Sequence, residues 1–191
     1  MTTRYPGLVL ADWRTRLLHD HPALFPDLRV VATGLGPTLV SVGWPSVGEG
    51  WRALVERACA RIADACAGVP AAEVAILGIE EKWGTLRLTV STLDLCETAS
   101  AAVDLAVDLA EARSLHVCET CGAPGRFSVK HGWYATVCAA HADGYLPVRS
   151  RDLDLQVTTM IVGDRTVRMA RRYEVRSDRF IALEPPIDED S

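Results

Sequence analysis

Apolar residues recur along this chain in two rhythms. Between Glu49 and Ala67, Trp51, Leu54, Val55, Ala58, Ile62 and Ala65 return every three or four positions, with Arg52, Glu56, Arg57 and Asp64 between them. That period predicts an amphipathic helix, stopped by Gly68 and Pro70. Leu95 to Leu115 predicts a second long helix, with a stripe of Ala99, Ala102, Val103, Ala106, Leu109 and Ala110. Asp104, Asp108 and Glu111 are expected on its wet side. Asp12 to His21 predicts a short helix with Trp13, Leu17 and Leu18 on one face.

Elsewhere the rhythm is that of strands. Leu28 to Ala32 and Thr38 to Gly43 predict a hairpin around Gly34 to Pro37. Val74 to Ile79 and Leu86 to Val90 predict two strands, joined by a solvated turn from Glu80 to Thr85 in which Gly84 supplies a positive φ. Leu153 to Val162, Arg165 to Val175 and Phe180 to Leu183 predict further strands, with Gly163-Asp164 as a tight turn. The expected fold is α+β: an antiparallel sheet covered by two long helices (residues 1–115), a cysteine-rich hairpin (116–147), a C-terminal β-ribbon (148–184) and an acidic tail (185–191).

The 191 residues are 49% hydrophobic and 24% charged, an ordinary globular balance that excludes a mainly disordered chain. No apolar run reaches the roughly 18 residues of a membrane span. Nor does the N-terminus carry a signal peptide's apolar stretch, so the expectation is a cytoplasmic protein without a membrane partner. Eighteen of the 20 basic residues are arginine, which suits a GC-rich bacterial genome. The net charge of -5 argues against a general nucleic-acid binder. It averages over uneven parts, because residues 165–179 carry six arginines against Glu174 and Asp178. Arg165, Arg168, Arg171, Arg172 and Arg176, with Arg179, could lie along a phosphate backbone. Pairing of arginine with glutamate across the strands is the plainer reading.

Six cysteines in a reducing compartment point to metal or free thiols rather than to disulfides. Cys118-Glu-Thr-Cys121 and Cys138-Ala-Ala-His141 are two ligand pairs with the same spacing, 16 residues apart. A two-residue gap lets both side chains of a tight turn face one ion. Cys3His is a standard structural set for Zn2+, and four protein ligands leave no open position for water. Gly122 follows the first pair, where a turn needs backbone freedom. Arg126 to Val129 and Trp133 to Val137 predict a hairpin around His131-Gly132. His116 and His131 are rival ligands. Cys59, Cys66 and Cys96 are expected to be buried free thiols.

The stretch Glu80-Glu-Lys-Trp-Gly-Thr-Leu-Arg-Leu88, then an alanine-rich helix, then Cys118-Glu-Thr-Cys-Gly-Ala-Pro-Gly125 and Cys138-Ala-Ala-His141, resembles a known group. These are small uncharacterised bacterial and phage-borne proteins with a Lys-Phe/Trp-Gly-Thr-Leu-Arg strand followed by a Cys-x-x-Cys-Gly knuckle. The resemblance covers residues 43–143 and implies a zinc site, with nothing catalytic. Four of the five tryptophans adjoin glycine and are expected to anchor the core at element ends. No phosphate-binding loop, nucleophile elbow or metalloprotease helix is present. The sequence therefore points to a non-enzymatic zinc-binding protein that acts on a partner protein. The alternative is a nucleic-acid-binding accessory protein that uses the zinc hairpin and the arginine ribbon.

Overall fold

The computed structural model describes residues 12–34, 36–68, 73–150, 152–162 and 165–183. The expected turn at Gly163-Asp164 and the acidic tail lie outside them, as does Pro70. Helix α1 (Trp13–Asp20) is capped by Asp12, whose carboxylate accepts the Arg14 N–H at 3.1 Å. The Arg14 guanidinium reaches on to the carbonyls of Pro45 and Val47 at 3.0 and 2.6 Å. Strands β1 (Arg29–Thr33) and β2 (Gly36–Val40) form the expected hairpin.

The second sheet is mixed. Strand β3 (Pro45–Ser46) runs parallel to β4 (Glu73–Lys82), which pairs antiparallel with β5 (Thr85–Leu93). This differs from the purely antiparallel sheet expected, because a short strand before the first long helix joins the edge. The ladder of β4 and β5 runs to Lys82 opposite Thr85. Glu80 and Glu81 therefore sit in a strand, not in a solvated turn. The turn shrinks to Trp83-Gly84, with φ of 56° and 77°. Two positive φ values match the right-handed twist of a two-residue hairpin.

Helix α2 (Arg52–Ala65) follows a single 3-10 turn at Glu49–Trp51, and α3 is Glu97–Ser114. One core joins Trp51 of the 3-10 turn and Val55 and Ile62 of α2 to Ile76, Ile79 and Leu86 of the sheet and Val103 of α3. All are almost fully buried. At about 1.5–3 kcal/mol for each large apolar side chain, this cluster dominates the favourable side of folding.

Strands β6 (Arg126–Lys130), β7 (Trp133–Val137) and β8 (Leu146–Pro147) build a small sheet in the order β7-β6-β8. Strands β9 (Leu155–Val162), β10 (Arg165–Glu174) and β11 (Arg179–Leu183) form a three-stranded antiparallel meander. Tyr173 buries its ring with Leu109 and Ala112 of α3. The Arg171 guanidinium pairs with Asp108 of α3 and bonds Gln156 at 2.8 and 3.0 Å. Glu111 accepts the Leu88 N–H at 3.1 Å and pairs with Arg87. The expected wet side of α3 is thus only partly wet. Asp104 is exposed, but Asp108 and Glu111 turn to the meander and to the edge of β5. Burial pushes the Glu111 carboxyl up, against the Leu88 N–H and Arg87. Among the described residues, no helix is long and apolar enough to cross a membrane.

Candidate metal centre

The chain leaves α3 at Ser114 and turns at once into Cys118-Glu-Thr-Cys121. The Gly122 N–H returns to the Cys118 carbonyl at 2.8 Å, and Cys118 N–H bonds the Ala123 carbonyl at 2.8 Å. Gly122 has φ 77°, a conformation that glycine adopts without a Cβ penalty. The second pair is set by another tight turn, a 3-10 segment at Ala139–His141, in which His141 N–H bonds the Cys138 carbonyl at 3.0 Å. Between the two pairs, the β6–β7 hairpin turns at His131 and Gly132, with φ 50° and 84°.

These turns bring Cys118, Cys121, Cys138 and His141 together, with all four donor atoms within 4.8 Å of one another. Cys121 Sγ lies 3.7 Å from Cys138 Sγ. His141 Nδ1 lies 3.6 Å from Cys118 Sγ and 3.3 Å from Cys138 Sγ. Donors about 2.0–2.3 Å from a tetrahedral centre are spaced about 3.3–3.8 Å apart. Three separations therefore match a tetrahedral shell, and three sulfurs with one imidazole are a donor set for a soft or borderline ion. The group fits a metal ion.

Local electrostatics prepare one thiolate. Burial pushes the Cys118 thiol up, but backbone N–H groups of Cys138, Cys121 and Thr120 and the His141 ring outweigh it and bring it down to about 6. The Ala123 N–H pulls Cys121 down, yet desolvation and the sulfurs of Cys138 and Cys118 leave it raised. Successive deprotonation of neighbouring thiols becomes harder until a cation neutralises them.

The site is fastened to the body by residues that the cysteine spacing does not reveal. Gly50 N–H bonds the Glu119 carbonyl at 2.7 Å, and the Glu119 carboxylate accepts the Gly48 N–H at 3.0 Å. Trp51 Nε1 donates to the Val117 carbonyl at 2.7 Å. A Cβ at Gly50 would overlap the Cys118 carbonyl and the Gly122 N–H. The other side is held by the β4–β5 turn. Thr136 Oγ1 donates to the Gly84 carbonyl at 2.8 Å, and a Cβ at Gly84 would lie 2.7 Å from Ala135 N.

The rival histidines stand apart from the cluster. His116 Nε2 contacts Asp154 at 2.6 Å and its ring stacks on Tyr173 at 6.0 Å. His131 occupies the hairpin tip. Of the remaining thiols, Cys59 is buried as expected, and Cys66 and Cys96 are not. Cys59 is buried, its thiol pushed up to about 12 by desolvation and by Glu56. Cys66 is half-buried and Cys96 is exposed at the start of α3, 3.3 Å from Thr98 Oγ1.

The tryptophans divide as well. Trp51 is fully buried, but Trp83 is 70% and Trp133 76% exposed. Trp83 lies in the β4–β5 turn and Trp133 opens β7, and both side chains are exposed, so the core-anchor expectation fails for them. Of the C-terminal arginines, Arg171 is committed to Asp108 and Gln156, with its guanidinium 4.1 Å above Phe180. Arg168, Arg172 and Arg176 are exposed, and Arg176 falls in the β10–β11 turn. The Arg165 side chain lies outside the described residues. No protein-family model matches the chain, and no curated protein or solved structure matches it.

Proposed function

We propose that this chain is a binding module in which a structural Zn2+, held by Cys118, Cys121, Cys138 and His141, rigidifies an exposed aromatic surface for a partner protein. The observation that carries the reading is the pairing of the Cys3His cluster with two tryptophans that water should disfavour. Trp83 and Trp133 are 70% and 76% exposed. They stand on adjoining hairpin tips, because Gly84 packs against the Tyr134–Ala135 backbone. Exposed tryptophans on a rigid scaffold are what protein interfaces use as anchors. Four protein donors fill a tetrahedral shell, which supports a structural ion over a hydrolytic one.

The test pairs metal analysis with affinity purification from the source cells, using wild type and W83A/W133A. The reading expects a protein that co-purifies with wild type, survives nuclease treatment and is absent with the double variant at unchanged metal content. Recovery that depends on nuclease-sensitive material sinks it.

A nucleic-acid reading has its own support. On β10, Arg171 and Tyr173 face α3, so Arg168 and Arg172 alternate onto the opposite face, across from Ile181 of β11. Retention on single- or double-stranded DNA that falls steeply with salt, and that R168E/R176E abolishes, would favour this reading.

A further inference from the structure

Beside the hairpin, and outside the metal cluster, lies an open cleft of about 520 Å³. Its lining includes Leu115, His116, Arg126, Leu146, Arg149 and Leu153. That volume falls in the range of small-molecule sites. Its charge pattern comes from the strand register. β8 runs antiparallel to β6, with Val129 opposite Leu146 and Ser128 opposite Pro147. The Val148 N–H donates to the Phe127 carbonyl at 2.9 Å, which carries the register one residue further. Continued past the end of β8, the same register would set Arg149 opposite Arg126, and both arginines line the cleft.

Like charges directly opposite across strands are destabilising. Among the described residues, neither guanidinium has a hydrogen bond or ion pair. Asp154 lines the same cleft but is engaged by His116 Nε2 at 2.6 Å. Elsewhere, Arg57, Arg61, Arg87 and Arg171 each sit on a carboxylate. The cleft is thus lined by two arginines together with apolar side chains.

We infer that this cleft binds a small organic phosphate, its phosphoryl group held between Arg126 and Arg149 and its apolar body against Leu115 and Leu153. A phosphate monoester carries close to two negative charges near neutrality, matching the two guanidiniums, whereas a carboxylate carries one. Each planar guanidinium can meet the phosphoryl oxygens with two N–H groups. The site goes beyond the partner-binding reading and does not depend on it.

The experiment titrates the metal-loaded full chain with inorganic phosphate, phenyl phosphate, benzoate and benzyl alcohol, by calorimetry and by amide NMR shifts. Phenyl phosphate is expected to shift the amides around His116 and Leu153. It should bind about tenfold more tightly than inorganic phosphate or benzoate, with benzyl alcohol weaker still. R126Q/R149Q is expected to weaken phenyl phosphate by about tenfold or more at unchanged metal content. If that double variant loses metal, Arg149→Gln, which lies beyond the cysteine loop, becomes the deciding variant. Phenyl phosphate that binds R149Q as well as wild type, or that shifts no amide of the cleft, overturns the site. Benzoate binding as tightly as phenyl phosphate overturns the phosphate assignment. Equal affinity for inorganic and phenyl phosphate overturns the organic ligand.

Discussion

Cys118 differs from its three companions because it alone is fully buried, and backbone N–H groups hold its thiol down to about 6. Replacing it removes a ligand and leaves those donors facing a weaker acceptor. Cys118→Ser and His141→Ala are each expected to reduce bound metal from about one equivalent per chain to near zero, read by atomic absorption. Tyr173 and Asp178 form a second sensitive pair, joined at 2.6 Å, with Arg61 and Arg57 at 3.0 and 3.2 Å from the carboxylate. Burial pushes Asp178 up, but the Tyr173 hydroxyl and the two arginines outweigh it and hold it below its ordinary value. Its folded-state affinity for protons is lower than in the unfolded chain. The stability it contributes is therefore present above about pH 4 and lost as pH falls through the folded value. Burial and Asp178 push the Tyr173 phenol up to about 12, against Arg113. That contribution is intact below about pH 10 and lost as pH rises towards 12. Thermal midpoints across pH should show a smaller acid loss in Asp178→Asn and a smaller alkaline loss in Tyr173→Phe. Profiles parallel to wild type would contradict this.

At the scale of elements, the helical and strand segments were largely legible from periodicity. Trp51, Leu54, Val55, Ala58 and Ile62 are buried as their spacing predicts. The failures share one cause. Glu80 to Lys82 look like turn residues until the ladder of β4 and β5 closes over Trp83-Gly84. Asp108 and Glu111 look like a wet stripe until β10 arrives with Arg171 and β5 offers an unpaired N–H at Leu88. Polar residues at an interface between elements cannot be told from solvated ones by period alone. The docking of the knuckle on the start of α2 is of the same kind. Gly50→Ala is expected to cost about 1–3 kcal/mol, because the new methyl meets backbone rather than a movable side chain. Urea denaturation of the metal-loaded protein measures it. A variant as stable as wild type would show that the knuckle can shift without loss.

For the whole molecule, the metal hairpin is clasped between two parts of the main core, at Gly48 to Trp51 on one side and Gly84 on the other. Removing the ion should therefore be felt beyond the hairpin. Chelation is expected to raise amide exchange first in residues 116–147, then at the start of α2, and to change the emission of Trp51 as its bond to Val117 loosens. Uniform exchange across the chain would show that hairpin and core unfold as one unit. The sequence by itself picked out the four residues of the Cys3His cluster, since two short spacings confine their donors to two turns. It also determined the main helices and strands, whose signals are local. Only the tertiary structure decided that Trp83 and Trp133 stand in water, that Arg171 turns inward, and that Arg126 and Arg149 line one cleft. Each of these depends on which distant segment packs alongside, and strand register and burial between such segments are not written in the period of either one.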